Sequence, residues 1–190
     1  MRRKVYTKEH ILKAAYEVIS KEGFNKFTAR NIAKKMGIST QPIYLEFKNM
    51  QDLKNTLVET VMKDLQENVF PVEHTGNKLV DLGINYVKFA QENHNLYVAL
   101  FVDEYGGGQL MHKFSYEYFK DLVKKDPEYA DLSEDYIEAL HDGTWIVVTG
   151  IASLMSSGII HPTEEQIARL IQQSIDSILT IKNPSHLYDK

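Results

Sequence analysis

The chain of 190 residues contains no cysteine, which excludes disulfides, thiolate zinc sites and cysteine nucleophiles and fits a reducing cytoplasm. Long apolar runs are missing too. The longest candidate, Trp145 to Met155, is broken by Thr149, Gly150 and Ser153 and falls short of a bilayer span. The Met1-Arg2-Arg3-Lys4 start leads into an amphipathic segment rather than the continuous apolar core of a signal peptide, so a soluble, cytoplasmic protein is expected. Signals for nucleotide, metal and nucleophile chemistry are equally thin. Gly106-Gly107-Gly108 lacks the Lys-Ser/Thr pair that a phosphate loop needs. Neither His112 with Glu117 nor His141 with Asp142 makes a metal set at helical spacing, and the seven histidines are scattered. Ser156, Ser157 and His161 have no nucleophile elbow and no acid partner. The chain therefore reads as non-enzymatic, with no cofactor and no metal.

What is present is a core and a lopsided charge. Apolar residues make up 43% and aromatic residues 11% of the chain, enough for one or two domains with real interiors. Residues 1–55 carry twelve Lys and Arg against five Asp and Glu, a net charge of +7; the remaining 135 residues carry −11. A polyanion would be drawn to one end only.

Periodicity points to helices and almost no strand. The first helix runs from a Thr7 cap to Gly23 with Ile11, Leu12, Ala15, Val18 and Ile19 on one face. A long helix follows Asn49 to about residue 70, where Pro71 stops it, and residues 72–76 form the expected boundary segment. Further helices are expected at about 77–93, 95–104, 108–125, 133–158 and 163–182, with a frayed tail over the last eight residues.

Between the first and the long helix lies the segment TARNIAKKMGISTQPIYLEF, residues 28–47. Thr28 can cap a helix, and Phe27 with Ile32 has the spacing of a hydrophobic staple. Ile32, Ala33 and Met36 supply an apolar face, and Gly37 stands where a helix end commonly turns left-handed. Ser39 or Thr40 restarts a helix, and Pro42 sits in its first turn, where a missing amide hydrogen costs no intrahelical bond. Two short helices around a glycine turn, with exposed polar and aromatic groups on the second, are a helix-turn-helix.

As a set, residues 7–53 resemble the DNA-binding domain of the TetR family of bacterial transcriptional regulators. The matching elements are Gly23-Phe24, Thr28-x-Arg30-x-Ile32-Ala33, Gly37-Ile38-Ser39, Ile43-Tyr44-x-x-Phe47 and Asp52-Leu53. Met50 is a departure: many family members carry Lys there, and Lys48 would supply the phosphate contact instead. The resemblance implies an all-α fold, with an N-terminal three-helix helix-turn-helix domain over residues 1–53 and a C-terminal helical ligand-binding and dimerisation domain over residues 54–190. It implies a homodimer formed through the last two long helices, whose apolar residues exceed what one core face needs, and binding of a palindromic double-stranded operator.

Thr40, Gln41 and Tyr44 are then the expected readers at the start of the recognition helix, Gln41 by hydrogen bonds to adenine edges and Tyr44 at a phosphate or a thymine methyl. Thr28, Arg30, Ser39 and Lys48 complete the expected DNA-facing set, Thr28 and Lys48 holding phosphates, with Arg2, Arg3 and Lys4 as an N-terminal arm. Ile43 and Phe47 belong to the core. In the second half, Tyr86, Tyr97, Phe101, Tyr105, Met111, His112, Tyr118, His141 and Trp145 are candidates to line an inducer pocket, as such pockets do in the family. The function implied is a repressor released by a small-molecule effector of unknown identity. The alternative is a TetR-like co-activator or adaptor that acts through protein contacts without operator binding.

Overall fold

A computed structural model describes residues 6–103 and 108–184. Arg2, Arg3, Lys4 and Tyr105, the Gly106-Gly107 punctuation and most of the expected tail lie outside the described residues. Nine α-helices occur among the described residues, and no strand: α1 (Lys8–Glu22), α2 (Ala29–Met36), α3 (Gln41–Glu46), α4 (Met50–Asp64), α5 (Lys78–Glu92), α6 (His94–Tyr97), α7 (Gly108–Lys125), α8 (Glu134–Ser156) and α9 (Glu164–Leu179). A 3-10 turn covers Phe24–Lys26.

Two stretches expected as plain α-helix end differently. The helix that follows Asn49 widens into a π turn at Leu65–Val69, closed by Phe70 N–H on the Leu65 carbonyl at 2.8 Å, immediately before Pro71. The helix expected over 95–104 starts at His94 and becomes π at Val98–Val102, where Asp103 N–H reaches the Val98 carbonyl at 2.7 Å. Wide single turns of this kind leave no signature in apolar periodicity, which reports only which face is buried.

The chain forms two compact units, residues 1–64 with 93–111 and residues 65–92 with 112–190. In the first, α1 packs on α2, α4 and α6. Its Ile11, Ala15, Val18 and Ile19 recur on one face and are buried, as are Ile32 and Ala33 of α2, Ile43 of α3, Phe47, and Leu53, Leu57 and Val58 of α4. Each of the Ile, Leu, Val and Phe side chains among these contributes about 1.5–3 kcal/mol by leaving water, and each Ala less, which is why very short helices can hold their places. The chain turns at Gly23 and Gly37, both at positive φ.

In the second unit, α5, α8 and α9 pack on one another. Gly83 of α5 sets the closeness: a Cβ there would lie 2.7 Å from Ile171 Cδ1 and 3.1 Å from Val148 Cγ1. Gly143 of α8 likewise leaves no room for a side chain against Ile178. Asn85, buried on α5, donates to the carbonyls of Phe70 at 3.1 Å and Val72 at 2.7 Å, while its Oδ1 meets His74 Nε2 at 2.7 Å. One amide thus satisfies a segment that has no helix of its own to pair with.

Two apolar positions of α8 face outward, Ile146 (57% exposed) and Leu154 (42%), with exposed Gly150 between them and nothing within 4 Å of where its Cβ would be. On α9, Leu170 is 46% exposed while Ile167, Ile171 and Ile175 are buried. Both helices therefore carry apolar surface on a second side, as their composition suggests. No helix among the described residues is long and apolar enough to cross a membrane.

Candidate nucleic-acid interface and a buried histidine cluster

The helix-turn-helix is built from local bonds. Thr28 takes extended backbone and its hydroxyl accepts the Asn31 amide at 3.2 Å, while the Asn31 side chain donates to the Lys26 carbonyl at 2.9 Å. At the far end Gly37 is left-handed (φ 67°), and the Ile38 amide closes back on the Ala33 carbonyl at 3.0 Å. Recognition-helix candidate α3 has six residues with Pro42 in its first turn, and Thr40 stands at its N-cap without a side-chain cap bond. Its end is fixed by α4: Asn49 Oδ1 accepts the Asp52 amide at 2.9 Å, and Asp52 Oδ2 accepts the Lys48 amide at 2.9 Å.

These caps sort α3 into two faces. Ile43 and Phe47 are buried, at 1% and 2% exposure, and hold the helix down. Gln41, Tyr44 (53%) and Leu45 (74%) stand out in solvent. Thr28, Arg30, Ser39 and Lys48 are exposed, and Thr40 is half-buried. Leu45 is the residue that sequence reasoning passed over; two positions past buried Ile43 on a helix, it was bound to face away from the core. Met50 is half-buried and lines a groove with Phe24, Phe27 and Lys54, whose Nζ lies 4.8 Å from the centre of the Phe24 ring. Basic groups elsewhere in the unit are engaged sideways: Lys35 pairs with Glu17 at 2.9 Å, and Lys8 Nζ lies 5.5 Å from the Phe47 ring centre.

In the second unit the aromatic and histidine candidates of α7 and α8 come together. His112 stacks at 5.6 Å on Trp145 and meets His141 edge-on at 5.3 Å; Phe119 and Tyr116 stand edge-on to His141, each at 5.5 Å. Trp145 donates its indole N–H to the Tyr86 hydroxyl at 3.3 Å, and Tyr86 also bonds Thr149 at 3.1 Å. Tyr118 instead packs on Phe70 at 5.7 Å. Tyr97, Phe101 and Met111 belong to the first unit, where Tyr97 and Phe101 stack at 5.9 Å. Burial pushes the His141 imidazole down to about 4 despite the Asp142 carboxylate beside it, so the ring is neutral near pH 7. Burial and nearby Glu134, which accepts from its hydroxyl, hold the Tyr116 phenol well above its ordinary value. His112 lies 29 positions before His141 in the chain, so no local spacing announced the pair; Ser115 and Tyr116, one turn after His112, were legible only once that face of α7 was known to matter.

Residues 11–56 match the family model of bacterial regulatory proteins, tetR family. Solved structures share the fold at low identity. A putative TetR-family transcriptional regulator from Vibrio parahaemolyticus is 17% identical with a TM-score of 0.67, over 90% of this chain and 97% of that one. The flavonoid-responsive regulator FrrA is 20% identical with a TM-score of 0.61, over 90% and 94%. The transcriptional regulator FadR from Bacillus subtilis, in complex with stearoyl-CoA, is 16% identical with a TM-score of 0.59, over 90% and 97%. The amino-terminal helices thus match the tetR family of bacterial regulatory proteins over residues 11–56, and the chain has the fold of solved TetR-family transcriptional regulators.

Proposed function

We propose that the chain is a ligand-responsive repressor that binds a palindromic operator as a homodimer and is released by a small molecule. The observation that carries this reading is the split of α3 into a buried anchor, Ile43 and Phe47, and a solvent-facing set, Gln41, Tyr44 and Leu45, on the end of the chain that holds the positive charge. Folding gives those three side chains nothing to do. Gln41 suits adenine edges, and Tyr44 and Leu45 suit a thymine methyl or the backbone. The exposed N-terminus of α2, capped by Thr28, offers amides to a phosphate, with Lys48 and Arg30 adding charge.

A helix of six residues reads few bases, so affinity and specificity call for two copies one helical turn of DNA apart. The outward Ile146, Gly150 and Leu154 of α8 and Leu170 of α9 support dimerisation through those two helices, the small central residue letting backbones approach. Effector control is supported by the fold shared with a regulator described as flavonoid-responsive and with one bound to stearoyl-CoA. An effector acts by preferring the dimer geometry whose recognition helices no longer match the operator.

The test is a mobility-shift titration on duplex taken from upstream of the chain's own gene, repeated at rising salt. Phosphate-dominated binding loses about 10³-fold or more between about 50 and 200 mM salt for six or more contacts. A chain that shifts no duplex at low salt, yet is captured by another protein of the transcription machinery, would be the adaptor instead.

A further inference from the structure

We propose that His112, His141 and Asp142 form a binding site for a divalent transition-metal ion of the zinc class, held by two imidazole nitrogens and one carboxylate oxygen. One ligand atom from each lies within 4.8 Å of the others. His141 Nδ1 and Asp142 Oδ1 are 3.2 Å apart, and His112 Nε2 is 3.9 Å from the same oxygen. Nitrogen and oxygen ligands at about 2.0–2.2 Å from tetrahedral zinc are separated by about 3.4 Å. The α8 pair already has that spacing, and the α7 histidine, with a quarter of its side chain exposed, has only a small swing to complete the set.

The surroundings of the His141 ring give a second reason. Ser115 Oγ lies 3.0 Å from His141 Nε2 and 3.0 Å from the His112 carbonyl, so it engages the far side of the ring and leaves Nδ1 directed at the Asp142 carboxylate, 3.2 Å away. Trp145, Tyr116 and Phe119 pack around the ring and fix its plane. A hydroxyl behind the ring orients it as partners behind metal-bound histidines do.

Two imidazoles and a carboxylate select zinc, nickel, cobalt or ferrous ion over magnesium and calcium, which take shells of oxygen. The ion would join α7 to α8. Its regulatory consequence rests on the proposed effector control of DNA binding, since an ion that prefers one arrangement of these helices shifts the population toward it. The metal site itself does not depend on that reading.

The experiment uses the full chain freed of metal by chelator. Zinc affinity is measured by competition with a chromophoric chelator, and cobalt is added to read its visible absorption. One ion per chain is expected, with cobalt bands of a four- or five-coordinate site. His112→Gln and Asp142→Asn should each weaken binding by about 10- to 100-fold, and Ser115→Ala, which leaves all three ligands in place, by about 10-fold. His161→Gln, at an exposed histidine outside the cluster, should change nothing. Absence of binding, or binding unaltered by the Asp142, His112 and Ser115 substitutions, overturns the site. Should the ligand variants lose helicity, Ser115→Ala decides. Mobility shifts with and without zinc separate the two readings: a chain that takes up zinc but shifts no duplex keeps the site and loses the regulator. One that shifts duplex but takes up no zinc does the reverse.

Discussion

At the scale of single residues, exposure separates groups that serve folding from groups left for something else. Tyr44 and Gln41 are solvent-facing on α3 while their neighbour Ile43 is buried. Tyr44→Ala and Gln41→Ala are expected to weaken operator binding by about 1–3 kcal/mol each, roughly 10- to 100-fold, with melting stability altered by less than about 0.5 kcal/mol. Equal losses in the shift assay and the thermal melt would make both residues structural. Asp81 is the opposite kind of residue. It is 3% exposed, and its Oδ1 accepts both the Thr75 hydroxyl at 2.6 Å and the Thr75 amide at 2.8 Å. Burial alone would raise this carboxyl, but the Thr75 bonds together with the amides of His74 and Gly76 outweigh it and hold the value below that of an ordinary aspartate. The sign follows: a depressed native pKa stabilises the fold above the unfolded-state value of about 3.9, and that stability is lost as pH falls through the native value. Urea unfolding should find Asp81→Asn less stable than the parent by about 1–3 kcal/mol near pH 7, with the gap closing below about pH 4. A gap independent of pH would mean that the charge on Asp81 does nothing.

At the scale of elements, caps and turns decide. The limits of α1, α2, α3, α5, α8 and α9 fall within a few residues of where Thr7, Thr28, Pro42, Gly23, Gly37, Thr163 and their neighbours place them, because a cap acts over three or four residues and is written beside the helix it ends. Thr163 illustrates the point: its hydroxyl accepts the Gln166 amide at 3.3 Å, and Gln166 Oε1 accepts the Thr163 amide at 2.8 Å. The π turns at Leu65–Val69 and Val98–Val102 have no such code and were not legible. Gly37 allows a clean test of the turn. Its φ is 67° and nothing lies within 4 Å of a built Cβ, so substitution costs backbone strain alone. Gly37→Ala should lower unfolding free energy by about 1 kcal/mol, and Gly37→Asn by clearly less, since asparagine tolerates the left-handed region. If urea midpoints fell equally for both, a steric cost rather than a conformational one would be at work.

At the scale of the whole molecule, the question is what the outward apolar positions of α8 and α9 are for. Ile146 (57% exposed) and Leu154 (42%) flank Gly150 on one stripe. In the proposed dimer they are covered, so Ile146→Arg should shift sedimentation from dimer to monomer while circular dichroism stays helical. Operator affinity should fall with it, and the salt slope of what binding remains should drop by about half, as one chain meets half the phosphates. An arginine variant that sediments as a dimer would place the interface elsewhere.

The charge split, the helical class, the capped segments and the helix-turn-helix are properties of sequence alone, because each depends on neighbours a few positions apart or on simple composition. Tertiary structure alone decided that His112 would meet His141 and Asp142 from another helix and that Asn85 would secure the Phe70 and Val72 carbonyls. Contacts across tens of residues are selected by how helices pack, and packing is a cooperative outcome of the whole core that no short window contains.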